Sequence, residues 1–513
     1  MRRLITLLLV LILVFNCVPL CAESKVVYAA DFSKDEDGWY GRGAAAYASN
    51  NVLHVTGRQS DWNSPGRDFE LEPGEKYTFS VEVLQKELDK ANFMVSVAHT
   101  SDGIETYENL AKRSVKKGRW TKIEGSYTPG EFDRFVLYVE TTGAPTLSFD
   151  MRSFTLTAPE NVSEIKREGP AQIEAREYVP SLKELYKDYF DFGCAVGRQE
   201  SVNMARMNKY AYYFSIFTPG NELKPDSVLN VSESRKLAKD DDTAVAVHFN
   251  SAKPLLDYCQ KNDLKVHGHV LVWHSQTPEA FFHVGYDPAA AYVSREVMLA
   301  RLDNYIRLIM EFMKENYPGL IVSWDVVNEA VDDSSGKLRQ SNWTKVVGQD
   351  FVNRAFEIAR KYAPEDTLLF YNDYSTPYEP KLTGICNLLD CLLAEGNIDG
   401  YGFQCHYQIS SPSISQLKKA FEKIAAKGLK LRVSELDVTI SGPTAAAYEQ
   451  QAKRYADLMQ VYLEYSDQII AVHTWGVTDD LSWLSSQYPL LFDRNLNPKP
   501  AFDALTALVS TEE

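Results

Sequence analysis

The alternation of apolar and polar residues changes character along the chain, and each change marks a different kind of segment. In Met1–Ala22, Arg2 and Arg3 precede an apolar run from Leu4 to Phe15 broken only by Thr6, and small residues follow near Ala22. That order is the pattern of an export signal, with a retained N-terminal anchor as the alternative. From Val26 to Thr157 the period is two. Tyr77–Val83, Phe93–Ala98, Trp120–Tyr127, Phe135–Glu140 and Leu147–Phe154 alternate and are parted by Gly, Pro, Asp and Asn. Short strands at this spacing predict a β-sandwich module over residues 26–157. Residues 158–180 are charged, carry Pro159, Gly169 and Pro170, and keep no period, which predicts a linker.

From Ser181 to residue 511 the runs become continuous and β-branched, and amphipathic helical stretches such as Val297–Asn316 and Phe351–Tyr362 separate them. Strands are expected at Asp191–Gly197, Tyr213–Pro219, Lys265–Trp273, Ile321–Asn328, Thr367–Asn372, Gly400–His406, Leu431–Leu436 and Ile469–Thr474. Eight strands alternating with helices predict a (β/α)8 TIM barrel, so the whole chain is read as multidomain, sandwich then barrel. In that fold the site is built at the C-terminal strand ends, which makes the polar residue closing each run informative.

Seven consecutive runs close on such residues. Strand two ends in Asn221, Glu222 and Lys224; strand three carries His269, Trp273 and His274; strand four ends in Asn328 and Glu329. Strand five ends in Asn372 and Tyr374, strand six in Gln404 and His406, strand seven carries Glu435 and Asp437, and Trp475 and Trp483 follow strand eight. A carboxylate closing a buried strand needs a partner. For Glu329 or Glu435 alone, an ion-paired structural acid is an equal reading. Two facing carboxylates are the apparatus of glycoside cleavage.

Composition narrows the ligand. The formal net charge is −16, with no basic face to neutralise phosphates, which argues against nucleic acid. With 24 Phe, 29 Tyr and 8 Trp, an acidic chain suits a neutral, hydroxyl-rich polymer. Of the seven cysteines two lie in the signal; Cys194, Cys259, Cys386, Cys391 and Cys405 are scattered and are expected to be small buried thiols. No metal-binding cluster stands out, and no cofactor is expected. A secreted, extracellular monomer without a membrane segment in its mature form is expected.

Gly-Trp-Tyr-Gly-Arg-Gly at Gly38–Gly43, the stretch around Trp62 and the later Leu-Tyr-Val-Glu-Thr run resemble carbohydrate-binding module family 22. The resemblance implies a grip on xylan or related β-glucans, mixed-linkage β-glucan among them, through Arg42, Trp62, Tyr107, Tyr138 and Glu140. Tyr138 and Glu140 lie two apart on one strand and so share a face.

Trp-His-Ser-Gln-Thr-Pro, Trp-Asp-Val-Val-Asn-Glu-Ala, Ser-Glu-Leu-Asp-Val and Trp-Gly-Val-Thr-Asp, in that order, resemble glycoside hydrolase family 10, the β-1,4-xylanases. The resemblance implies retention of anomeric configuration, with Glu329 as acid/base and Glu435 as nucleophile. It also implies that Asn221, Lys224, His269, Trp273, Asn328, Gln404, His406, Trp475 and Trp483 line subsites for xylan and xylo-oligosaccharides, and Tyr374 is placed with them. Gly220 stands where many relatives carry an acid. The residues themselves suggest that His406 keeps Glu435 ionised, that Asp437 fixes the tautomer of His406, and that Asn328 bonds the sugar 2-hydroxyl. A β-glucanase on the same barrel and a binding protein without catalysis are the rival readings.

Overall fold

The computed structural model describes residues 24–33, 36–101, 104–132, 134–165, 173–176 and 178–509, so the expected export signal lies outside the described residues. Among those described, no helix is long and apolar enough to cross a membrane. The chain forms two compact units, residues 1–169 and 170–513.

Among the described residues, the strands of the first unit pair antiparallel in two sheets. One sheet runs Tyr40–Arg42, Ser64–Phe69, Arg134–Thr142, Lys90–Ser101, Ile104–Lys116; the other is built on Phe149–Pro159, with Tyr77–Gln85 and Ser24–Ala30 among its neighbours. Alternation decides what is inside. Phe79, Val81 and Val83 from one sheet and Phe93, Val95 and Val97 from the other are buried in a common core. Phe93 and Phe149 meet edge to face across it, ring centres 5.0 Å apart. The opposite face of the five-stranded sheet keeps a small cluster of its own, Ala98, Val136 and Tyr138 with Tyr40 against it. That second face carries the candidate sugar contacts.

The second unit is a closed parallel barrel. Its eight strands start at Asp191–Val196 and Ile216–Pro219 and finish at Lys430–Thr439 and Ile469–Thr474, each parallel to its neighbours. The first strand pairs with the eighth at Gly193 and His473, which closes the ring. The strands are buried on both sides because the barrel interior covers one face and helices the other, and their buried residues include the polar groups His267, Asp325, Arg432 and His473. The helix Phe351–Tyr362 shows how: Phe351, Val352, Ala355, Phe356 and Ala359 form its buried stripe.

Three strands differ from expectation. Tyr213 ends the helix Met204–Tyr213 because it continues the buried stripe of Met207 and Tyr210, so strand two starts only at Ile216. Strand three divides into Lys265–Gly268 and Val272–Trp273. Strand six divides into Gly400–Phe403 and His406–Gln408, with Cys405 between them at φ +63°, outside strand geometry. Cys194, Cys259 and Cys405 are buried thiols, whereas on the helix Lys381–Glu395 Cys386 is half-buried at the edge of the core and Cys391 is exposed, which corrects the expectation of five buried thiols.

Candidate active site

The C-terminal rim of the barrel gathers the strand-end residues into one connected network. Glu435 lies within strand seven and is 4 % exposed. Its Oε1 accepts a hydrogen bond from Asn372 Nδ2 at 2.7 Å, and its Oε2 lies 3.2 Å from His406 Nε2. The other ring nitrogen of His406 is 2.8 Å from Asp437 Oδ2, which also accepts from the indole of Trp483 at 3.0 Å. Burial alone would lower the pKa of His406; flanked by two carboxylates, it instead rises to about 10. His406 is therefore a cation at neutral pH, and both its nitrogens donate. Asp437, at the second ring nitrogen, fixes the orientation of His406 as expected and also favours the protonated ring. Burial would likewise raise the pKa of Glu435, but the His406 hydrogen bond and the neighbouring imidazoles outweigh it and hold it below the ordinary value.

Glu329 follows the last residue of strand four and sits at φ +57°, a left-handed conformation that disfavours side chains. Its Oε2 accepts from Trp273 Nε1 at 3.0 Å; its Oε1 accepts from Gln404 Nε2 at 2.9 Å and Asn328 Nδ2 at 3.2 Å. Asn328 Oδ1 accepts in turn from Asn372 at 3.0 Å and Gln404 at 3.1 Å. Asn372, Asn328 and Gln404 thus link the two carboxylates by a chain of amides. Asn372, read in the sequence as closing strand five but given no role there, joins this chain from one residue inside the end of the strand Leu368–Asp373.

Lys224 extends the site. Its Nζ donates to Asn221 Oδ1 at 2.9 Å and to Gln276 Oε1 at 3.0 Å, and lies 5.0 Å from the ring centre of Trp273. Burial lowers its pKa, with Glu435 and Glu329 among the charges that oppose the shift. Gln276 is a further polar group here, and its loop position gave no periodic signal. Glu222, by contrast, caps the backbone N–H groups of Arg198 and Asn221 and is structural. His269 is buried with Nδ1 2.9 Å from Asp325, edge-on to Trp475 at 5.3 Å. Trp483 is 63 % exposed, a free ring face beside His406. Tyr374, expected among the sugar-lining groups, is half-buried beside strand five. Its hydroxyl is engaged by Asp333 at 2.5 Å and Arg339 at 3.0 Å, and Lys381 Nζ lies 3.4 Å from its ring centre.

In the first unit, Arg42, Tyr138, Glu140 and Tyr107 come together on the outer face of the five-stranded sheet, since paired residues in its register point the same way. Arg42 lies over the Tyr138 ring at 4.0 Å, and Glu140 accepts from Ser96 Oγ at 2.6 Å. Tyr138 is only 4 % exposed, so it supports Arg42 and is no open stacking platform, contrary to expectation. Trp62 and Tyr107 are the open rings, 62 % and 63 % exposed. The Trp62 loop is pinned by Asp61, which accepts from Gly143 N and Ala144 N at 2.8 Å each.

A parallel barrel whose rim presents two carboxylates joined by amides, with tryptophan faces beside them, defines a carbohydrate-cleaving enzyme of the glycoside hydrolase class. Residues 181–508 match the family described as Glycosyl hydrolase family 10, and the chain belongs to that family. Residues 24–146 match a family described as Carbohydrate binding domain. The chain is 32 % identical over 522 residues to Endo-1,4-beta-xylanase A of Thermotoga neapolitana, covering 95 % of this chain and 47 % of the relative. It is 31 % identical over 513 residues to Exoglucanase XynX of Acetivibrio thermocellus, covering 94 % of this chain and 45 % of the relative. The chain thus spans about half the length of these curated relatives. Among solved structures it is similar to the CBM22-1–GH10 modules of the Clostridium thermocellum endo-1,4-beta-D-xylanase 10B complexed with xylohexaose. The TM-score there is 0.60 at 28 % identity, covering 95 % of this chain and 98 % of that one.

Proposed function

We propose that this protein is an exported endo-β-1,4-xylanase that cleaves internal bonds of xylan with retention, Glu435 acting as nucleophile and Glu329 as acid/base. The observation that carries the roles is the unequal setting of the two carboxylates. Glu435 accepts from a protonated His406 and from Asn372, donors that favour its ionised form. Glu329 accepts from the neutral donors Trp273, Gln404 and Asn328.

In the first step an oxygen of Glu435 attacks the anomeric carbon. The glycosidic C–O bond breaks, and the proton of Glu329 passes to the leaving oxygen. In the second, Glu329 takes a proton from water, whose oxygen displaces Glu435 and restores the starting anomer. Asn328 is placed between both carboxylates, where its amide can turn to the sugar 2-hydroxyl. Trp475 and Trp483 supply stacking surfaces for uncharged pyranose rings. The first unit, with Trp62 and Tyr107 open, holds polymer, xylan or mixed-linkage β-glucan, and raises its concentration at the barrel. The enzyme works as a monomer. Export is supported by the apolar run from Leu4 to Phe15 behind Arg2 and Arg3.

A second reading, cleavage of a β-glucan, is favoured by the relative named an exoglucanase. Reducing-sugar release from soluble xylan, cellulose and barley glucan separates the two: xylan should be much the best substrate. NMR of the first products should show the β-anomer. An α-anomer would remove retention, and a chain equally active on cellulose would remove the substrate.

A further inference from the structure

The peptide bond that follows Glu329 is held at both of its polar atoms, and the two grips are the ends of one continuous chain of side chains. At one end Arg339 Nε donates to the Glu329 carbonyl at 3.2 Å, while its Nη2 donates to Tyr374 Oη at 3.0 Å. Tyr374 donates to Asp333 Oδ2 at 2.5 Å, and Asp333 Oδ1 accepts from Lys381 Nζ at 2.6 Å. Lys381 Nζ also lies 2.8 Å from Asp373 Oδ1. Asp373 Oδ2 accepts from the Tyr371 hydroxyl. That hydroxyl accepts from Ala330 N at 3.0 Å, which is the other polar atom of the same peptide bond. The chain leaves the Glu329–Ala330 peptide and returns to it.

This circuit is costly to build. Lys381 is 1 % exposed and Asp373 and Tyr371 are fully buried, and buried ions destabilise a fold unless every partner is in place. Glu329 itself sits at φ +57°, a conformation that survives only where the surroundings over-determine it. Rotation about the Glu329 N–Cα bond would relieve that conformation, displacing the peptide plane that follows and swinging the carboxyl group out of reach of Trp273 and Gln404. Both hydrogen-bonding atoms of the plane are taken, so the rotation is blocked.

We propose that Arg339, Tyr374, Asp333, Lys381, Asp373 and Tyr371 form a closed clamp on the Glu329–Ala330 peptide, and that they are positioning residues for the acid/base. The inference rests on Glu329 having that role. Clamp residues should then matter in proportion to how much proton the leaving group needs. A dinitrophenolate leaves without help; a xylose hydroxyl does not.

The test compares kcat/KM on xylotetraose with kcat/KM on dinitrophenyl β-xylobioside, both of which report steps up to cleavage. The variants are Tyr371→Phe, which removes one oxygen from the buried arm, and Asp333→Asn, which weakens the exposed arm. Each should lose about 10- to 100-fold on xylotetraose, a fraction of what general acid catalysis supplies, and less than about threefold on the aryl glycoside. If Tyr371→Phe does not fold, Asp333→Asn decides alone. Equal losses on the two substrates, or no loss on either, overturn the clamp. Glu329→Ala run beside them separates the failures. If it too loses equally on both substrates, the acid/base role itself is wrong; if it spares the aryl glycoside while the clamp variants do not, only the clamp fails.

Discussion

Replacing His406 with Asn tests how the nucleophile is kept ionised. In the native site the His406 cation faces Glu435 at 3.2 Å and Asp437 at 2.8 Å, and its pKa stands at about 10. A hydrogen bond to a charged group contributes roughly 1.5–3 kcal/mol, and about 1.4 kcal/mol corresponds to one pH unit. Losing this donor should therefore raise the pKa of Glu435, and the acid limb of the kcat/KM profile on xylotetraose should move to higher pH by about 1–2 units. Asn372 still donates to Glu435, so activity should be reduced and not abolished. Stability follows the same group with a definite sign. A pKa raised in the folded state contributes stability that is complete below the ordinary imidazole value and lost as pH rises through about 10. The gap in thermal midpoint between wild type and variant should accordingly shrink from neutral to alkaline pH. A variant with an unmoved acid limb would refute the reasoning, whatever its rate.

Three further outcomes are expected. Trp62→Ala should weaken binding to insoluble xylan about fivefold, since one stacked ring contributes roughly 1 kcal/mol, and leave kcat on xylo-oligosaccharides unchanged; affinity electrophoresis and oligosaccharide kinetics read the two. Lys499→Met should cost about 3–5 kcal/mol in urea unfolding, because it strands Asp479, whose oxygens lie 2.9 and 3.2 Å from the fully buried ammonium. N-Ethylmaleimide followed by peptide mapping should label Cys391 first in the native protein. Cys259 and Cys405, whose thiols burial pushes up to about 12, should react only after unfolding.

The barrel was legible because parallel strands buried on both faces must be continuous apolar runs, and the polar residue that breaks each run lies at the rim where chemistry happens. That rule reaches Glu329, Glu435, Gln404 and His406 directly. It reaches less well where a side chain's role depends on what lies across the barrel. Tyr374 closes a run like the others, yet Asp333 and Arg339, from the segment after strand four, claim its hydroxyl. Tyr138 carried the right period for the binding face, but Arg42 from another strand covers it. The charge on His406 follows from two carboxylates converging on one ring, of which Asp437 stands two residues beyond Glu435 on the same strand. The clamp on Glu329 had no sequence signal, because its members come from one strand, the turn that follows it, a helix and the segment after strand four, and no single spacing joins them.

The most direct test of the central claim is to stop the reaction halfway. Dinitrophenyl 2-deoxy-2-fluoro-β-xylobioside has a leaving group that departs readily and a fluorine that slows release of the sugar from the enzyme. Intact-mass measurement should show one fluoroxylobiosyl group per protein, released with one equivalent of dinitrophenolate, and peptide mapping should place it on Glu435. An unlabelled protein that still cleaves the parent glycoside, or a label carried by Glu329 or any other side chain, would contradict the account.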